Sequence, residues 1–222
     1  MARRLRGLVR TLKVGGALFT ACGPEAVRRL RALGFEVMLD LKFFDIPNTV
    51  DLSCRAAARL GVSLLTVHAA GGRAMLEAAV RGARAEARRL RLPRPKILAV
   101  TVLTSTPIPA TIRGGPETIG GRRSTRRDVR DFTEMAIDAQ CDGVVASAQE
   151  ARELRQVFPD AQFEIVCPGI RPSGAFREDQ RRIATPAQAL AAGADRIVVG
   201  RPITSARNPR AAAKAILDEM ET

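Results

Sequence analysis

Apolar residues in this chain alternate between two rhythms. Short runs rich in Val, Ile and Leu predict strands at Thr11–Val14, Glu36–Leu41, Leu64–His68, Ile97–Leu103, Gly143–Ala146, Phe163–Cys167 and Arg196–Val199. Between them lie amphipathic stretches that predict helices at Pro24–Leu33, Asn48–Leu60, Arg73–Arg89, Thr125–Ala139, Gln149–Val157 and Pro186–Ala192, with another at Pro209–Met220. Strand and helix in alternation, joined by short loops, imply parallel strands with right-handed crossovers. Polar and glycine-rich residues follow the strand ends: "KVGG", "DLKFFD", "HAAGG", "TVLTS", "SAQE", "PGIRP" and "VGRP". A (β/α)8 TIM barrel carries its active site on that rim. A doubly wound open sheet is the alternative that alternation alone leaves open.

Seven strands are one short of a barrel. The stretch before Thr11 does not read as the eighth, because Leu5, Leu8, Val9 and Leu12 repeat at helix spacing. They read as the last turns of a helix feeding the first strand. The expected fold is therefore a barrel lacking its N-terminal strand, with two unpaired edges facing each other across a gap. Its 222 residues, 46% of them hydrophobic, suffice for one sizeable core, and residues 1–222 are read as a single domain.

Composition narrows the function. No uncharged apolar run approaches the roughly 18 residues of a membrane span, and "MARRLRGLVR" lacks the apolar core of a secretory signal, so a cytoplasmic protein without a membrane partner is expected. Cys22, Cys54, Cys141 and Cys167 form no C-x-x-C pair and read as free thiols. The net charge of +13 is almost all arginine. It would draw in an anionic substrate. No nucleic-acid motif accompanies it, and aromatics are only 4%, so stacking platforms are scarce and no specific nucleic-acid partner is expected. Only Lys13, Lys42, Lys96 and Lys214 are lysines. Where arginine is the default cation, a lysine invites a chemical reason, since it can give up a proton.

Chemistry concentrates in "LDLKFFDIPNT", Leu39–Thr49, which places Asp40, Lys42 and Asp45 within one strand end. Ionisable groups beside a buried strand are costly unless they pair or work. Taken alone, Asp40 and Lys42 also fit an ordinary ion pair, and Lys13 fits a rim lysine.

Asp40-x-Lys42-x-x-Asp45 followed by Ile46-Pro47-Asn48-Thr49 resembles the orotidine 5′-phosphate decarboxylase family. The likeness continues in order through "LKVGGALFT", "TVHAAGG", "AVTVLTS", "GVVASAQEA", "CPGIRP", "EDQRRIATP" and "VVGRPIT". The resemblance implies a carboxy-lyase that uses neither cofactor nor metal, and it replaces CO2 at C6 of the orotate ring with a proton. Lys42 is expected to stabilise charge at C6 and deliver the proton. Asp40 would face the departing carboxylate, with Lys13 and Asp45 completing an alternating array of charge. Opposite charges nearby favour the ionised forms. Asp45 and Thr49 would reach into the partner's site, which implies a homodimer with shared active sites. Gly200 and Arg201 would grip phosphate, Arg171 and Gln180 would contact ligand from a lid-like loop, and Thr104 would read the pyrimidine edge. His68, the only histidine, reads as a structural hydrogen-bonding residue.

Two departures stand out. Phe44 occupies a position where the family commonly has histidine. No residue matches the aspartate that ends the family's first strand and holds the ribose hydroxyls, so one wall of the sugar site is unmatched. A start site assigned too far downstream is the favoured explanation, beside a fragment or a degenerate paralogue. Two other functions stay open: a Mg2+-dependent sugar-phosphate relative, which would need further carboxylates on neighbouring strand ends, and an inactive remnant.

Overall fold

All seven apolar runs form strands in the computed structural model, which describes residues 1–104, 125–172 and 183–221. They are β1 (Thr11–Gly15), β2 (Glu36–Phe43), β3 (Leu64–His68), β4 (Lys96–Val100), β5 (Gly143–Val145), β6 (Glu164–Cys167) and β7 (Arg196–Ile197). Every pairing is parallel, and the sheet order is the chain order, β1 through β7. A doubly wound sheet would reverse its order at a switch point, so that alternative is excluded. Among the described residues β1 and β7 each have one strand neighbour, leaving two sheet edges.

The helices are α1 (Gly16–Cys22), α2 (Glu25–Ala32), α3 (Pro47–Arg59), α4 (Gly72–Leu90), α5 (Thr125–Asp138), α6 (Ala148–Val157), α7 (Pro186–Ala191), α8 (Arg201–Thr204) and α9 (Pro209–Met220). Side chains alternate across the sheet with the strand period of two. Val37, Leu39, Leu65, Val67, Ile97, Ala99, Val144, Ile165 and Cys167 belong to the cluster that packs against helix residues such as Val27, Val50, Met75 and Leu154. The intervening Met38, Leu64, Leu98 and Val166 pack with Val145 and Val198 in a separate cluster of strand side chains, inside the curl. That inner layer is what a barrel interior requires.

Two expectations need correction, and one helix is additional. The N-terminal repeat is not a continuous helix: a 3-10 turn covers only Ala2–Leu5, and Gly7 at φ +76° breaks any continuation. Leu5, Leu8, Val9 and Leu12 still share one apolar cluster, where they meet Phe35, Ile203, Ala213 and Ile216. The strand expected to reach Leu103 stops at Val100. Helix α1 was not anticipated, because Gly16–Cys22 buries no residue and so lacks a sided pattern.

At the opposite rim, ion pairs tie the strand starts together. Glu164 of β6 pairs with Lys96 of β4 and with Arg196 of β7. Asp142 takes a bidentate pair from Arg94 at 2.7 and 2.6 Å and also accepts the Ile97 N–H. Such contacts stabilise the barrel's amino-terminal face and leave the other face for chemistry.

Candidate active site

A cavity of about 500 Å³ opens at the carboxyl ends of the strands. Its wall contains Lys13, Asp40, Lys42, Thr104, Arg171, Gly200 and Arg201, and Met38, Val145 and Val198 continue the inner layer into it. Seven side chains or backbones singled out from separate parts of the sequence thus converge on one space.

Lys13 lies on β1, Asp40 and Lys42 on β2. Asp40 is the hub. Its Oδ2 is 3.1 Å from Lys13 Nζ and its Oδ1 is 2.8 Å from Lys42 Nζ. The carboxylate is 12% exposed, and each lysine side chain roughly one-third exposed. Burial alone would raise the Asp40 pKa. The hydrogen bond from Lys42 and the charges of both lysines outweigh burial and hold the carboxyl below its ordinary range.

The local backbone explains this geometry. Leu39 pairs with Leu65, yet Phe43 pairs with Val67, so β2 carries extra residues against β3 across Asp40 and Lys42. Lys42 sits at φ +49°, in the left-handed region that disfavours a residue with a Cβ. At this irregularity the Lys42 N–H donates to Thr66 Oγ1 at 2.9 Å, and Thr66 Oγ1 donates to Asp40 Oδ1 at 3.0 Å. Thr66 is fully buried. Sequence reading missed it, because a threonine in "LLTVH" is an ordinary strand former.

Other sites fall as follows. Asp45 is exposed, and its Oδ1 accepts the Ile46 N–H at 2.7 Å. Within one chain, among the described residues, it forms no ion pair with Lys42 or Lys13, so the array here is Lys13–Asp40–Lys42 alone. Thr49 is half-buried in the first turn of α3. Arg171 is buried, and its Nη1 donates to the Ile170 carbonyl at 3.0 Å. Gly200 caps α8, and a Cβ built on it would meet no atom within 4 Å, so protein packing does not demand glycine there. Gln180 lies outside the described residues. His68 Nδ1 accepts the Ala70 N–H at 3.2 Å, and its ring lies 5.6 Å from that of Phe44. Burial, then the Lys42 charge, lowers its pKa and favours neutral imidazole. Among the described residues no three His, Cys, Asp or Glu side chains converge as a metal site, and no helix is long and apolar enough to cross a membrane.

A curled parallel sheet with a charged cavity on its carboxyl rim is the plan of a (β/α)8-barrel enzyme, here organised around a Lys–Asp–Lys triad. Comparison with known proteins narrows the class. The chain belongs to the orotidine 5′-phosphate decarboxylase / HUMPS family, whose sequence profile matches residues 1–216. It is 50% identical over 218 residues to the orotidine 5′-phosphate decarboxylase of Moorella thermoacetica, covering 98% of this chain and 84% of that one. It is 53% identical over 210 residues to the enzyme of that name from Halorhodospira halophila, covering 94% and 84%. The crystal structure of orotidine 5′-phosphate decarboxylase from Lactobacillus acidophilus superposes with a TM-score of 0.79 at 38% identity, covering 95% of this chain and 86% of that one.

Proposed function

We infer that this chain converts orotidine 5′-phosphate to uridine 5′-phosphate and CO2, the closing step of pyrimidine nucleotide synthesis. One observation carries the reading: in the cavity wall, the first carboxylate of the family's D-x-K-x-x-D segment is held between the ammonium of that segment's lysine and that of Lys13 on β1. In this reading the C6–carboxyl bond breaks and its electron pair stays on C6. Lys42 Nζ gives a proton to that carbon and is reprotonated from solvent. Asp40 faces the substrate carboxyl, and repulsion eases as CO2 departs. Lys13 completes the triad. Across the cavity, Arg201 and the backbone at Gly200 receive the phosphate, and Thr104 reads the pyrimidine edge. Arg171 and Gln180 add contacts to the ligand. Binding energy far from C6 offsets the strain at the reacting carbon.

Exposed Asp45 and half-buried Thr49 serve the neighbouring subunit's cavity in a cytoplasmic homodimer. The exposure of Asp45, away from its own triad, supports this assignment. Mixing Lys42→Ala chains with Asp45→Ala chains is the check. Each alone is inactive, and the mixed dimer regains part of the activity through its one intact site.

The decisive assay follows the orotate chromophore and trapped CO2 with purified chain in EDTA. Turnover that survives chelation is expected. No CO2 from saturating orotidine 5′-phosphate would overturn the reading.

A further inference from the structure

Thr66 does more in this site than fill a strand. We propose that it is a positioning residue for the decarboxylation: its single hydroxyl fixes both the carboxylate of Asp40 and the backbone of Lys42. The inference rests on the function proposed above, but its geometry does not.

A threonine hydroxyl carries one proton and two lone pairs. An ionised carboxylate only accepts, so the Thr66 proton points to Asp40 Oδ1, at 3.0 Å. A lone pair is then left for the Lys42 N–H, at 2.9 Å. Both bonds land where the β2–β3 register shifts, between Leu39 and Phe43. In a regular parallel pair that N–H would go to a carbonyl of the neighbouring strand. Here a side chain takes it and holds Lys42 at φ +49°.

The consequence reaches the ammonium. Asp40 Oδ1 is the oxygen that receives both the Thr66 proton and Lys42 Nζ, at 2.8 Å. Thr66 therefore fixes Lys42 at two points, its amide directly and its Nζ through Asp40. With Thr66 0% exposed, no solvent molecule takes over when the hydroxyl is removed. Two other core threonines bond only a backbone carbonyl, Thr133 that of Val129 and Thr101 that of Val145. Thr66 instead gives its proton to one residue of the D-x-K pair and accepts from the other.

The test pairs Thr66→Val, which keeps shape and drops the hydroxyl, with Thr66→Ser, which keeps the hydroxyl. Thr66→Val should lower kcat about ten- to hundredfold, the scale of a lost hydrogen bond to a charged group. It should also move the acid limb of the rate profile to higher pH, because Asp40 loses a donor to its ionised form. Thr66→Ser should restore rate and profile. A merely structural threonine would change melting temperature and leave the acid limb in place. A Thr66→Val enzyme with parental kcat and an unmoved acid limb overturns the proposal. Amide hydrogen exchange at Lys42 in the unmodified chain gives an arm that needs neither turnover nor a folded variant. Slow exchange supports the bond to Thr66, and exchange as fast as in an open loop overturns it. If the unmodified chain released no CO2, the functional reading would fall while this exchange measurement still decided the role of Thr66.

Discussion

Asparagine in place of Asp40 keeps the side chain's shape and removes the charge that two lysines share. Each Lys–Asp attraction, taken at the observed separations of 2.8 and 3.1 Å, is worth about 5–6 kcal/mol at an effective dielectric of about 20 and about 1.4 kcal/mol in bulk water. The lysine side chains are 36% and 37% exposed, so solvent screening puts the pairs near the lower figure. Burial of the carboxylate works in the opposite direction. The net sign follows from the Asp40 pKa, which lies below its ordinary value despite burial. Ionised Asp40 therefore stabilises the fold above the unfolded pKa of 3.8, and that contribution is lost as pH falls through the lower folded value. Removing it should destabilise the chain by about 1–3 kcal/mol at neutral pH. At this length that is a fall of about 3–10 °C in melting temperature. CO2 release should drop at least about hundredfold, because the proton donor loses its anchor. Scanning fluorimetry and the orotate absorbance assay read the two effects. Asp40→Asn with parental stability and near-parental kcat would refute the reasoning.

Three further outcomes are expected. Lys42→Gly and Lys42→Ala should both abolish CO2 release, yet the glycine variant should be more stable by about 1 kcal/mol, because φ +49° suits glycine; equal melting temperatures would count against backbone strain at this position. Gly82→Ala should destabilise by about 1–3 kcal/mol in urea unfolding, since its Cβ would come 2.5 Å from the Asp51 carbonyl oxygen and push α4 from α3. Glu86 is buried between these helices, and hydrogen bonds from Arg89 and Arg59 bring its pKa down to about 2. The stability gap between the parent and Glu86→Gln should be constant above pH 4.5 and close as pH falls toward 2.

The strands were legible because sheet residues covered on both faces need apolar runs, and "VML" and "ILAV" supply them. The long helices were legible from their sidedness: α4 buries Met75, Leu76, Ala79 and Ala83 along one stripe. Short elements without a stripe, α1 and α8, left no such trace. At the N-terminus the spacing of Leu5, Leu8, Val9 and Leu12 correctly marked shared burial but not a helix, because Gly7 turns the chain. The charged residues of the site were visible as anomalies in an apolar context. Thr66 was not, since its role depends on a register shift that no local pattern announces.

The cluster that joins Leu5 and Phe35 to Ala213 and Ile216 also binds early chain to late chain through Arg210, whose Nη1 donates to the carbonyls of Arg4 and Arg6 at 3.1 and 3.0 Å. Contacts spanning more than 200 positions cannot form until α9 has left the ribosome. Through most of synthesis Leu5, Leu8 and Leu12 lack the helix that covers them. Nascent chains therefore carry an uncovered apolar segment that invites chaperone capture, and closure of that seam is expected among the last events of folding.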